Sequence, residues 1–277
     1  MKTDTELVTV AGQRLRVAVS GSGRPLLLLN GIGGSLELWE PLVEKLDAEV
    51  IRCDAPGTGG SPVRKRPMSI PALANLTARL LDTLGYQEVD VLGMSLGGLT
   101  AEQLAISHPD RVRRLVLAVT NFGVGSFPGK LRAWRILMSP ARYYIPGYYE
   151  THIRDFVGGR IGRDPDAAEA YAIMRRMHPP QLLGHLWQMT SAATWSAFPL
   201  LHRITAPTLV LAGDDDPLIP VINARVLAWR IPNAQLHVVR GAGHLLLLDE
   251  ADTVAPVIED FLAQPASERG IATGTAD

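Results

Sequence analysis

Cysteine is all but absent: Cys53 is the only one in 277 residues, so no disulfide can form within the chain. That excludes a disulfide-stapled scaffold and fits a reducing compartment, so a cytoplasmic location is expected. An excess of charge of either sign is absent too. The formal net charge is −1, which removes the electrostatic basis for a nucleic-acid partner. No apolar run comes near the roughly 18 residues that cross a bilayer, so no membrane span is expected. Residues 1–10 alternate polar and apolar side chains where a signal peptide would have an apolar core. Charged residues make up 20% and hydrophobic ones 47% of the chain, a balance that excludes disorder and predicts a large core.

What is present alternates. Residues 15–19, 26–29, 50–54, 89–92 and 112–120 read as strands, and 70–84 and 95–107 read as helices, the first closed by Gly85. Strand, helix, strand in succession implies an α/β architecture with a mostly parallel sheet covered on both faces. The rhythm stops between 122 and 203. Of the chain's 16 aromatic residues, 12 lie from Phe122 to Phe198, in a helical-looking stretch broken by Pro140, Pro146, Gly158, Gly159, Pro179 and Pro180. We read 122–203 as a cap inserted into a core made of 1–121 and 204–265. Strands return at 208–212 and 235–239, a helix follows at 251–262, and 266–277 is small and polar like a flexible tail.

The sharpest motif is Gly93-Met94-Ser95-Leu96-Gly97, between the strand 89–92 and a helix. A G-x-S-x-G run in that setting resembles the nucleophile elbow of the α/β hydrolases, a turn so tight that the positions two before and two after the serine must be small. The alternative is a glycine-rich turn with an incidental serine. A serine hydroxyl needs a base to take its proton. Among seven histidines, His244 in Gly241-Ala242-Gly243-His244 follows the last strand, where a loop emerges at the same sheet edge. His108 precedes Pro109, His237 lies mid-strand, and His152, His178, His185 and His202 fall in or beside the insertion.

An acid is needed to orient that base. Asp214-Asp215-Asp216 follows the strand 208–212, and by residues alone it could be a solvated turn or hold the acid. The resemblance implies Asp216, third after Gly213, and leaves Asp214 and Asp215 as turn or capping residues. Asn121, at the alternative acid position, cannot ionise. The resemblance also implies an oxyanion hole from the backbone N–H groups of Leu96 and of Ile32 in the loop Asn30-Gly31-Ile32-Gly33-Gly34, with Asn30 bracing that loop beside Gly31. No histidine or acid cluster has metal-ligand spacing, and no dinucleotide fingerprint opens a helix, so neither metal nor cofactor is expected. Asp54 is expected to bond local backbone, and Cys53 to be a small core residue.

The likeness extends further. The runs Leu28-Leu29-Asn30-Gly31-Ile32-Gly33, Asp54-Ala55-Pro56-Gly57-Thr58-Gly59-Gly60-Ser61, Ser139-Pro140-Ala141-Arg142-Tyr143-Tyr144, Gly213-Asp214-Asp215-Asp216-Pro217-Leu218-Ile219-Pro220 and Leu227-Ala228-Trp229-Arg230-Ile231-Pro232 resemble intracellular poly(3-hydroxyalkanoate) depolymerases of the medium-chain-length type. That implies ester hydrolysis through an acyl-enzyme on Ser95, acting on such polyesters, their oligomers or medium-chain esters, with a polyester granule surface as a partner. Leu96 departs from that family, which carries tryptophan after the serine. A general esterase or thioesterase, a C–C hydrolase or perhydrolase on the same residues, and a non-catalytic binding protein are the alternatives. Dehalogenase and epoxide hydrolase chemistry would need an aspartate where Ser95 stands. Tyr148 and Tyr149 are candidates for the pocket entrance, and most other aromatics of the insertion are expected to pack its own core.

Overall fold

The uninterrupted apolar runs form strands buried on both faces, as parallel sheets demand. In the computed structural model, which describes residues 4–265, they join an eight-stranded sheet. The strands are β1 (Glu6–Val10), β2 (Gln13–Ser20), β3 (Pro25–Leu29), β4 (Glu49–Cys53), β5 (Val89–Met94), β6 (Val112–Ala118), β7 (Thr208–Gly213) and β8 (Ala234–Val239). Their order is β1-β2-β4-β3-β5-β6-β7-β8. β2 runs antiparallel to β1 and β4, and the remaining pairs are parallel.

Three helices, α1 (Glu40–Val43), α2 (Ile70–Leu84) and α3 (Leu96–Ser107), connect the early strands. Five more stand between β6 and β7: α4 (Leu131–Met138), α5 (Ala141–Tyr144), α6 (Tyr148–Val157), α7 (Pro165–Met177) and α8 (Leu182–Ala193). Then α9 (Val221–Arg230) joins β7 to β8, and α10 (Leu246–Asp249) and α11 (Ala251–Ala263) follow the last strand. The tail expected at 266–277 lies outside the described residues.

Alternation along the strands divides the core between the two faces of the sheet. Leu26, Leu28, Leu92, Val116, Leu209 and Leu211 pack with Trp39, Leu42, Ile258 and Phe261 on one face. Leu27, Val91, Leu115, Leu117 and Val210 pack with Ala74, Ala101, Leu104 and Leu227 on the other. Each fully buried leucine contributes roughly 1.5–3 kcal/mol of transfer free energy. Local signals set the ends of α2: the Ser69 side chain accepts from the Ala72 N–H at its start, and Gly85 closes it in the left-handed region at φ 85.

The structure moves several expected boundaries. The sixth strand stops at Ala118 and not at 120, because Val119 turns to φ 43 while its N–H donates to Leu211. The alternating N-terminal residues, given no element from the sequence, form β1 as half of a hairpin turning at Ala11 and Gly12, both at positive φ. Among the described residues, no helix is long and apolar enough to cross a membrane.

Candidate active site

Parallel strands bring their C-terminal ends to one edge of the sheet, and loops from that edge converge there. Gly31 and Ile32 follow β3, Ser95 follows β5, Asp216 follows β7 and His244 follows β8. Residues up to 213 positions apart thus come together.

The turn at Ser95 is as tight as its spacing implied. Ser95 sits at φ 54, ψ −118, a backbone state that costs a non-glycine residue on the order of 1–3 kcal/mol. Surrounding bonds hold it there. Its N–H donates to Ala118, and its carbonyl accepts from Gly98 N–H and from the Thr120 hydroxyl. A Cβ on Gly93 would come within 2.5 Å of the Gly97 carbonyl oxygen, and one on Gly97 within 1.9 Å of the Leu29 oxygen. Only glycine fits at either position. Ser95 is left half-buried above the N-terminus of α3.

Asp216 and His244 are both buried, and Nδ1 of His244 lies 2.8 Å from Oδ2 of Asp216. The other Asp216 oxygen accepts the N–H groups of Leu218 and Ile219 at 2.8 and 2.9 Å. The neighbouring aspartates are committed elsewhere. Asp214 accepts from Gly241 N–H, while Asp215 accepts from Gly159 N–H and pairs with Arg163 of the insertion. The loop that carries His244 is itself tied to the insertion, since the His244 N–H donates to Val157 at 2.7 Å. His244 lines a small cavity of about 40 Å³ together with Ser95, Asn30, Gly31 and Ile32.

The loop after β3 passes close over the serine: a Cβ on Gly31 would lie 3.2 Å from the Ser95 Cβ. The Asn30 amide donates to the Ser35 carbonyl at 2.8 Å and closes this loop. Ile32 and Leu96, whose backbone N–H groups have no acceptor among the described residues, line a larger cavity of about 290 Å³ beside Ser95. Its other walls include Leu99, Trp134, Leu137, Met189 and Leu218.

Several residues the sequence did not single out surround the site. Trp134, Leu137 and Met189 come from α4 and α8, and Arg142 and Arg175 from α5 and α7 enter the smaller cavity. Apolar spacing in α4 and the run 139–144 around Arg142 were the available signals. Tyr149 is corrected: it is 3% exposed, packed against Tyr171 and Phe156, and so does not stand at an entrance. Tyr148 stacks on His152. Asn121 bonds the Gly123 N–H. Asp54 accepts from the Leu36 and Gly60 N–H groups and pairs with Arg16, while burial pushes its carboxyl up. Burial, with Asp54 beside it, pushes the Cys53 thiol up to about 12, so it is not a poised nucleophile.

A family model described as the alpha/beta hydrolase fold matches residues 24–171 and 175–251. The chain is 45% identical over 262 residues to a poly(3-hydroxyalkanoate) depolymerase of Ectopseudomonas oleovorans, covering 93% of this chain and 92% of that protein. It is 32% identical over 272 residues to a 2-hydroxymuconate semialdehyde hydrolase of Pseudomonas putida, covering 93% of each. Among solved structures it superposes on the enol-lactonase from Burkholderia xenovorans LB400 with a TM-score of 0.80. The identity there is 24%, over 94% of this chain and all of that one.

Proposed function

The chain belongs to the alpha/beta hydrolase fold family and is a hydrolase, and from that premise we propose that it cleaves carboxylic esters through an acyl-enzyme on Ser95. His244 is the base, Asp216 its orienting acid, and the N–H groups of Ile32 and Leu96 form the oxyanion hole. The observation that carries this reading is the 2.8 Å contact between His244 Nδ1 and Asp216 Oδ2. Asp216 acts as the acceptor, so Nδ1 holds the proton and Nε2 is free to take one from the Ser95 hydroxyl.

The alkoxide attacks the ester carbonyl, and the oxyanion forms against two N–H donors that contribute on the order of 3 kcal/mol each. The alcohol leaves with the proton from His244. Water then attacks the acyl-enzyme in the reverse sense, and Ser95 regains its proton. Asn30 keeps the oxyanion loop, including Gly31, in place. Residues 122–203 serve as the cap, and 1–121 with 204–265 as the core.

As substrate we propose medium-chain poly(3-hydroxyalkanoate), its oligomers and medium-chain esters. The similarity to the depolymerase and the apolar walls of the larger cavity support this. Leu131, Met138, Met177 and Leu182 are exposed apolar side chains on the cap and offer a face for a polyester granule. A chain with a single cysteine suits the cytoplasm, where we place it. The resemblance to the semialdehyde hydrolase favours C–C bond hydrolysis as the second reading. A panel of p-nitrophenyl esters from acetate to decanoate, with a polyester suspension and a ring-cleavage dienoate alongside, separates the two. Turnover peaking at octanoate supports the first. Turnover of the dienoate alone supports the second.

A further inference from the structure

Two guanidinium groups are buried beside Ser95 without a counter-charge among the described residues. Arg142 and Arg175 are 4% and 7% exposed, and both line the smaller cavity with Ser95 and His244. Arg132, Arg160, Arg163 and Arg176 of the same insertion each pair with a carboxylate. Among the described residues neither Arg142 nor Arg175 has one within ion-pair distance. Nε and Nη2 of Arg142 are buried with no hydrogen-bond partner among the described residues.

What surrounds them is aromatic. The Arg142 guanidinium lies 4.4 Å from the Tyr143 ring centre and 5.0 Å from that of Phe156, and Arg175 lies 5.0 Å from Tyr143. Ring faces offset part of a cation's lost hydration but leave Nε and Nη2 of Arg142 unmet, whereas Arg175 also bonds the Tyr143 side chain. His185, edge-on to Tyr143, is pushed down to about 4 by burial and then by these two arginines. It carries no charge near neutral pH. An uncompensated pair of buried cations lacks an anion, and a guanidinium fork matches a carboxylate in shape and charge.

The position of the pair says which part of a substrate would carry that anion. His244 lines the smaller cavity and not the larger one, and the base must hand its proton to the departing alcohol oxygen. The alcohol half therefore faces the smaller cavity, on the side where the arginines stand, and the acyl chain faces the larger apolar one. Resting on the ester-hydrolase reading above, we propose that Arg142 and Arg175 form a carboxylate subsite for the leaving alcohol. The preferred substrate is then an ester whose alcohol half is a hydroxy acid with its carboxylate free. In the step itself the acyl C–O bond breaks and the Ser95 ester forms. The hydroxy acid departs with the His244 proton on its hydroxyl and its carboxylate still ionised between the arginines.

The test uses the octanoyl ester of 3-hydroxybutanoic acid, as free acid and as methyl ester. Wild type is expected to favour the free acid in kcat/KM by about 10- to 100-fold, the range of a charge-assisted hydrogen bond, with most of the difference in KM. Arg142→Gln and Arg175→Gln should bring that ratio near one, and Arg142→Lys should restore part of it. Equal turnover of the two esters by wild type, or an unchanged ratio in folded glutamine variants, overturns the proposal. Calorimetric titration of Ser95→Ala with 3-hydroxybutanoate and its methyl ester reads the subsite without turnover. Binding of the acid alone, lost in the double variant with Arg142→Gln, supports the subsite even if no ester is cleaved. Absent or equal binding removes it while leaving the ester-hydrolase reading to stand on its own assay.

Discussion

Asp216 uses its two oxygens for two tasks: one meets His244 Nδ1 at 2.8 Å, and the other is pinned by the N–H groups of Leu218 and Ile219. The carboxylate is thereby fixed in orientation before it orients anything else. Asp216→Asn would keep the shape but let an amide N–H face the imidazole and favour the wrong tautomer. A fall in kcat of about 10⁴-fold with little change in KM is expected. Asp215→Asn, whose side chain meets Gly159 and Arg163 instead, should retain most activity. Steady-state kinetics on p-nitrophenyl octanoate check both.

Gly97 has no room for a side chain, since a Cβ there would stand 1.9 Å from the Leu29 carbonyl oxygen, which is backbone and cannot swing away. Gly97→Ala must push α3 off β3. A loss of about 3 kcal/mol or more is expected, in the range reserved for core overpacking and backbone strain. Urea unfolding followed by circular dichroism measures it.

Glu102 is fully buried in α3, and among the described residues neither carboxylate oxygen has a hydrogen-bond partner. Burial therefore holds its carboxyl well above the ordinary 4.5. The folded protein keeps a proton that the unfolded chain releases, so the stability linked to this group is full below about pH 4.5 and declines as pH rises toward the folded value. Glu102→Gln removes the titration. Its melting temperature relative to wild type should rise between pH 5 and pH 8, and a flat difference would show that Glu102 is not protonated in the fold.

Leu96 is buried and lines the larger cavity. Leu96→Trp, which installs the residue the depolymerases carry there, would fill part of that space. The preferred acyl chain should shorten, read as the ratio of kcat/KM for octanoate to that for butanoate esters.

Much of this was legible in the sequence, and the reason is local. Strands β3, β6 and β7 each carry an apolar run, at 26–29, 115–118 and 209–212, and the Ser95 turn advertises itself because only glycine fits at Gly93 and Gly97. What the sequence could not expose depends on packing between distant segments. Arg142 and Arg175 look like any surface arginines until the fold buries both on one cavity without a carboxylate. Asp215 read as a turn residue, yet it holds Gly159 and Arg163 across 56 and 52 positions. Tyr149 read as exposed because its neighbours are irregular, whereas α6 turns it inward onto Phe156.

The role of Ser95 is tested most directly by fluorophosphonate labelling followed by intact-mass and peptide analysis. One adduct is expected on wild type, mapped to Ser95, with none on Ser95→Ala and parallel loss of ester hydrolysis. Labelling at another residue, or full hydrolysis by Ser95→Ala, would contradict it.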